Sequence, residues 1–111
     1  MSDRDRPWSK FYWSDWDADP KLRQCSLAAQ GLWMKMLCIM AKSEPRGYLT
    51  VGGVTLDVNG LSTAVGRPAT ELTSLLEELS RWGVHSHDRK GRIYSRRMVL
   101  ETQKKCSEVA K

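Results

Sequence analysis

Five large apolar residues spaced for a single helical face constrain this chain most. Leu72, Leu75, Leu76, Leu79 and Trp82 recur at i, i+3, i+4, i+7 and i+10, which at about 3.6 residues per turn aligns them in one stripe. Such a stripe has to be covered by another element. Pro68 fits the first helical position, where its missing N–H costs nothing, and Gly83 fits the end of the helix. The pattern predicts a helix over 69–82. Immediately before it, Gly66-Arg67 reads as a tight turn, preceded by a short helix from about Val58 or Gly60 to Val65 with Leu61, Ala64 and Val65 on its apolar side. Two helices joined by a short Gly-containing turn form a helix-turn-helix. Small Ala64 is expected where the two cross.

The remaining elements follow from caps and breakers. Asp19 caps and Pro20 opens a short helix to about Gln24, and Ser26 caps the longest helix, Leu27 to Lys42. Leu27, Ala29, Leu32, Trp33, Met36, Leu37 and Met40 make that helix apolar over most of its surface, with Ala28, Gly31, Lys35 and Lys42 as a narrow wet strip. Gly31, Ala28 and Ala29 are small enough to admit another backbone. Tyr48–Val51 and Val54–Leu56 around Gly52-Gly53 read as a hairpin. A second hairpin comprises Val84–His87, the turn Asp88-Arg89-Lys90-Gly91 and a return strand Arg92–Arg96. Residues from Met98 onward are weakly helical. Residues 1–6 read as a frayed end. Trp8, Phe11, Tyr12, Trp13 and Trp16 crowd residues 7–16, which predicts an aromatic arm laid across the core.

The element order predicts a mainly α chain with a little β: a winged helix-turn-helix whose wing is the C-terminal basic hairpin. At 111 residues the chain makes one domain, divided into an arm (1–18), the winged-helix domain (19–100) and a polar tail or linker start (101–111). The expected core is Leu32, Trp33, Met36, Leu37, Leu61, Leu72, Leu75, Leu76, Leu79 and Trp82. The longest apolar run, Leu32–Ala41, is ten residues and contains Lys35, too short to span a bilayer. The chain opens with no charged-then-apolar leader, and Cys25, Cys38 and Cys106 show no CxxC spacing. A cytoplasmic protein with reduced thiols is therefore expected, Cys25 and Cys38 being buried small residues.

Charge points to the partner. Net charge is +5 and the excess is local: between residues 84 and 105, Arg89, Lys90, Arg92, Arg96, Arg97, Lys104 and Lys105 stand against Asp88 and Glu101. A basic wing of this kind can lie along a phosphate backbone. In a DNA-reading helix-turn-helix the second helix enters the major groove, which makes Arg67, Thr70, Thr73, Ser74 and Arg81 the candidate contacts on the helix pair. On the wing they are Arg89, Lys90, Arg92, Arg96 and Arg97. Glu71, Glu77 and Glu78 put three carboxylates on the same helix surface, an objection to base-specific reading. His85 and His87 share a strand face and with Cys106 resemble an incomplete ligand set, but no fourth ligand is suitably spaced, so no metal and no cofactor are expected. The chain holds no GxxxxGK[ST], GxGxxG or GxSxG motif, and the reading is not an enzyme, with no small-molecule substrate and no membrane.

Taken together, FYWSDWDADPKLRQCSLAAQGLWMKMLCIM, GYLTVGG, the Leu/Glu-rich helix closing in RWGV, and GRIYSRRMV resemble the winged-helix N-terminal domain of phage replication-type proteins, the replisome-organiser-like and primosomal proteins encoded in prophages. The resemblance covers about residues 8–100. Its most specific pieces are Ser26–Trp33 and Ile93–Met98. It implies binding to duplex DNA near an origin, in a bacterial host's cytoplasm, or docking to a replication protein, and it implies no catalytic residues. The alternatives are a dimerising or protein-docking module, which would use the aromatic arm and the long helix, and a transcriptional regulator.

Overall fold

Local hydrogen bonding sets the helix boundaries. The computed structural model describes residues 11–102. Helix α1 (Trp13–Ala18) starts without a side-chain cap. At α2 (Pro20–Arg23) the Asp19 carboxylate accepts from the Lys21 and Leu22 amides at 3.0 and 3.3 Å. The Ser26 hydroxyl accepts from Ala29 N at 3.1 Å and starts α3 (Leu27–Ala41). Asp57 does the same for α4 (Val58–Val65) through Gly60 N at 2.7 Å. Each cap satisfies an amide that the first helical turn leaves without a partner. Gly66, at φ +81°, ends α4, and α5 (Ala69–Arg81) follows with Pro68 at its N-cap, one position earlier than expected.

Two antiparallel hairpins complete the fold. β1 (Thr50–Val51) pairs with β2 (Val54–Thr55). Gly52 and Gly53 between them have φ of +59° and +80°, the two positive angles a type I′ turn demands. β3 (Ser86–His87) pairs with β4 (Ile93–Tyr94). The segment before β1 joins the hairpins: Tyr48 bridges Tyr94, Leu49 N donates to Ile93 O at 2.9 Å, and Ser95 N donates to Gly47 O at 2.8 Å. Residues 96–102 are helical (α6). The return strand thus stops at Tyr94, and Arg96 and Arg97 belong to a helix and not to the hairpin, a correction to the predicted strand. The architecture is mainly helical with small antiparallel hairpins, and among the described residues no helix is long and apolar enough to cross a membrane.

The core lies where α3 and α4 pack on α5. Leu32, Trp33, Met36, Leu61, Leu72 and Leu79 are buried as expected, while Leu37, Leu75 and Leu76 are partly buried against them. Leu22, Ala29, Met40 and Leu49 join the same cluster. The wet strip of α3 is real: Ala28, Gly31, Lys35 and Lys42 are all exposed. Five other expectations are corrected. Trp82 is 40% exposed because it sits at the C-cap of α5, past the last turn that faces α3. Leu27 is 85% exposed because at about 100° per residue it falls on the same side of α3 as Gly31 and Lys35, opposite buried Met36. Ala64 is exposed, so Val58, Leu61 and Val65 seat α4. Gly31 has nothing within 4 Å of its would-be Cβ, so no backbone approaches there. Cys38 is exposed, whereas Cys25 is buried.

The aromatic segment meets the core in part only. From Trp13 it is helical, Trp16 packs on the core, and Tyr12 and Trp13 face solvent. Phe11 meets Trp13 edge-on and lies tilted to Trp16, with ring centroids 4.6 and 5.9 Å away. Trp8, Cys106 and the tail from 103 onward lie outside the described residues.

Gly47 is the tightest joint. Its φ is +95°, and a Cβ there would lie 2.9 Å from Val99 Cγ2 and 3.1 Å from Met98 Cβ. Its amide donates to Met40 O at 2.9 Å, so it ties the end of α3 to α6. Gly47→Ala is expected to cost about 1–3 kcal/mol in backbone strain plus the overlap with α6. Gly31→Ala, in an open helix interior, is expected to stabilise by up to about 1 kcal/mol. Urea midpoints of the two variants check this, and a Gly47→Ala midpoint equal to wild type contradicts it.

Candidate nucleic-acid interface

The outward side of α5 is a single polar stripe. At about 100° per residue, Thr70, Thr73, Ser74, Glu77 and Arg81 fall opposite Leu72, Leu75, Leu76 and Leu79, and all five are exposed. Thr73 spends its hydroxyl proton on Ala69 O at 2.9 Å. At the turn before α5 the Ser62 hydroxyl donates to Arg67 O at 2.6 Å, which holds the α4–α5 connection. The Arg67 guanidinium is occupied: Nε and Nη2 both lie 2.9 Å from the Glu71 carboxylate. This pair is well exposed, so it is weak in water, and a phosphate can compete for the arginine.

The three carboxylates do not act as one acidic surface. Glu71 is paired with Arg67. Glu78 turns away onto the N-terminus of α3, where it accepts from the Ser26 amide and, at 2.9 Å, from the Ser26 hydroxyl. Glu77 alone has no side-chain partner among the described residues. The predicted acidic objection is corrected to one negative charge, balanced along the stripe by Arg81. Glu78 raises the pKa of the neighbouring Cys25 thiol, but desolvation by burial is the larger cause and Asp19 adds to it. Cys25 therefore stays a thiol.

The β3–β4 hairpin is held by one carboxylate. Asp88 Oδ1 accepts from Lys90 N at 3.0 Å and Arg92 N at 2.8 Å, and Oδ2 accepts from Arg92 Nε at 2.7 Å. Gly91, at φ +80°, closes the turn by donating to Asp88 O at 3.0 Å. Partial desolvation pushes the Asp88 pKa up, but the donors on Arg92 and Lys90 outweigh it, so the carboxyl sits below its ordinary range. The Arg92 guanidinium lies over the Tyr48 ring, 4.4 Å from its centroid. Arg92 is thus a staple of the hairpin and not a free cation, a correction to its predicted role. Asp followed three residues later by Gly is a turn signature legible in sequence. The use of Tyr48 beneath Arg92 is not, because it joins residues 44 apart.

Arg89 and Lys90 are exposed at the hairpin tip with no side-chain partner among the described residues. Arg96 is exposed on the first turn of α6. Arg97 pairs with Asp15 at 2.9 Å and lies 5.6 Å from the Tyr12 ring centroid, tying α6 to α1. Of the ten predicted contacts, then, Thr70, Thr73, Ser74, Arg81, Arg89, Lys90 and Arg96 are open to a ligand, Arg67 and Arg97 are in exposed ion pairs, and Arg92 is committed to the fold. No cluster of three or more metal-ligating side chains forms among the described residues.

No family model, curated protein or solved structure matches the chain.

Because Asp88 is held ionised by the turn, the hairpin's order is present above the ordinary carboxylate range and is lost as pH falls through the folded-state pKa. Asp88→Asn is expected to reproduce that loss at neutral pH. Amide exchange at Lys90 and Arg92 measures it: faster exchange in the variant is expected, and unchanged protection contradicts the assignment of Asp88 as the turn's anchor.

Proposed function

We propose that this chain is a winged helix-turn-helix module that binds duplex DNA, with the outward stripe of α5 in a groove and the β3–β4 tip along a phosphate backbone. One observation carries the reading: among the described residues Arg89 and Lys90 have no side-chain partner, on a turn that Asp88, Arg92 and Tyr48 already hold in shape. Two cations on a fixed turn meet phosphates without first paying to order the loop. The α4–turn–α5 unit supports it, since Ser62, Gly66 and Leu61 fix the turn and leave Thr70, Thr73, Ser74 and Arg81 facing outward. Glu77 and the paired Glu71 hold the stripe near neutrality, which favours phosphate-led binding over tight base reading. The resemblance to phage replication-type proteins favours a role near a replication origin in a bacterial cytoplasm, as a binding module and not an enzyme.

The reading predicts a salt slope. Contacts from Arg81, Arg89, Lys90 and Arg96 give log K against log salt a slope of about −3 to −4. Arg89→Ala/Lys90→Ala is expected to weaken binding and to flatten that slope by about 2. Fluorescence anisotropy of a labelled duplex across a salt series measures both. Undetectable binding at low salt, or a slope the double substitution leaves unchanged, overturns the reading.

A second reading, docking to a protein or to a second copy, draws on the 74% exposure of Trp13 and the 85% exposure of Leu27. A light-scattering mass that stays monomeric at high concentration removes its self-association form.

A further inference from the structure

His85 is the polar residue the fold explains least. It is 7% exposed, and neither imidazole nitrogen has a hydrogen-bond partner among the described residues. It stands directly before β3, where the chain leaves α5. Its ring centroid is 6.5 Å from that of Trp33, a buried residue of α3, and 4.8 Å from that of His87, which meets it edge-on. The base of the hairpin is therefore seated against the core by a ring that can gain a charge within the physiological range.

The surroundings decide what that charge does. Buried polar groups lacking partners are rare and call for an explanation, and a buried charge without an acceptor is costlier still. Among the described residues no carboxylate contributes at His85, and the field of His87, on β3, repels a second cation there. From α5 the Leu76 backbone favours the charged ring but does not reach hydrogen-bond geometry, and α3 contributes the uncharged Trp33. Burial is the largest influence and His87 the next, and together they hold His85 below the ordinary imidazole value.

We propose that His85 is a proton-operated latch on the β3–β4 hairpin: neutral, it seats the hairpin on α3 and α5, and protonated, it leaves that seat and loosens the wing. The sign follows from linkage. A released ring takes its proton near pH ~6.5 while the seated ring resists it, so the seated state is fully stable above that value and loses stability as pH falls below it. This window lies above that of Asp88, which acts in the carboxylate range. The consequence for DNA rests on the function proposed above. It runs against simple electrostatics, because protonating His85 and His87 adds positive charge, which alone strengthens binding to phosphates.

Two readouts separate the latch from that function. Amide and imidazole NMR signals of the free protein, followed from about pH 7.5 to about pH 5.5, report the latch without DNA. His85 is expected to titrate below a free imidazole, with the signals of residues 86–94 moving in step. Duplex affinity over the same range is expected to fall, by at most about tenfold, because at one pH unit below the free-imidazole value the released ring is protonated about ten to one. His85→Phe, which fills the seat and cannot charge, is expected to abolish both effects. Where that variant fails to fold, His87→Ala serves: it removes the repelling neighbour, so the effect is expected to shrink and persist. A His85 that titrates like a free imidazole while the hairpin signals stay still overturns the latch, as does a full pH effect in His85→Phe. A hairpin that loosens while affinity stays flat supports the latch and overturns the role of the wing in binding.

Discussion

The rest of the molecule depends on the burial of α3. Ala29, Leu32, Trp33, Met36 and Met40 on this one helix are buried, and α5 lies along it. At roughly 1.5–3 kcal/mol for each fully buried large side chain, no other element contributes as much apolar burial. Both ends of α3 are then fastened to distant parts of the chain. At its start Ser26 is gripped by Glu78 of α5, and at its finish Met40 O receives the amide of Gly47, which also holds β4 and leaves no room against α6. The α4–α5 pair and the β3–β4 hairpin are two attachments to one central rod.

Those attachments sort the charged residues into structural and available groups. Composition treats 18 basic and 13 acidic side chains as one excess. In the fold Glu78 caps a helix, Asp88 organises a turn, and Arg92 and Arg97 bind carboxylates beside tyrosine rings. Of the cations predicted to touch DNA, those left open are fewer and better defined, the Arg89-Lys90 tip, Arg81 and Arg96, while Lys21, Arg23, Lys35 and Lys42 are exposed outside that set. Pairing a cation with a nearby carboxylate removes it from long-range steering but fixes the backbone that carries its neighbours. The hairpin shows this, since Asp88 engages Arg92 and thereby sets the turn that displays Arg89 and Lys90.

Periodicity and capping made most of the fold legible in the sequence. The leucines of α5, Asp19-Pro20, Ser26 and the Gly52-Gly53 and Gly66 turns act within a few residues of themselves, so their effects are written locally. The misreadings arose where a residue's fate is settled by partners far along the chain. Trp82 continues the leucine spacing but stands one step past the surface α3 covers. Ser95 ends the strand because its amide is taken by Gly47 and its hydroxyl lies 3.4 Å from Met98 N, which turns Arg96 and Arg97 into a helix start. Glu78 appeared to be a solvent-facing carboxylate because nothing near it in sequence announces Ser26, 52 residues away. The strand pattern places His85 beside His87 but does not mark it as buried, because its burial involves Trp33, 52 residues earlier.

The central claim is that the α5 stripe and the hairpin tip engage one duplex together. Amide chemical-shift mapping during a titration with duplex DNA tests it most directly. Joint perturbation of residues 67–81 and 88–91, with Ala28, Gly31 and Lys35 on the wet strip of α3 unmoved, is the predicted result. Shifts confined to one of the two elements, or centred on the α3 strip, would contradict it.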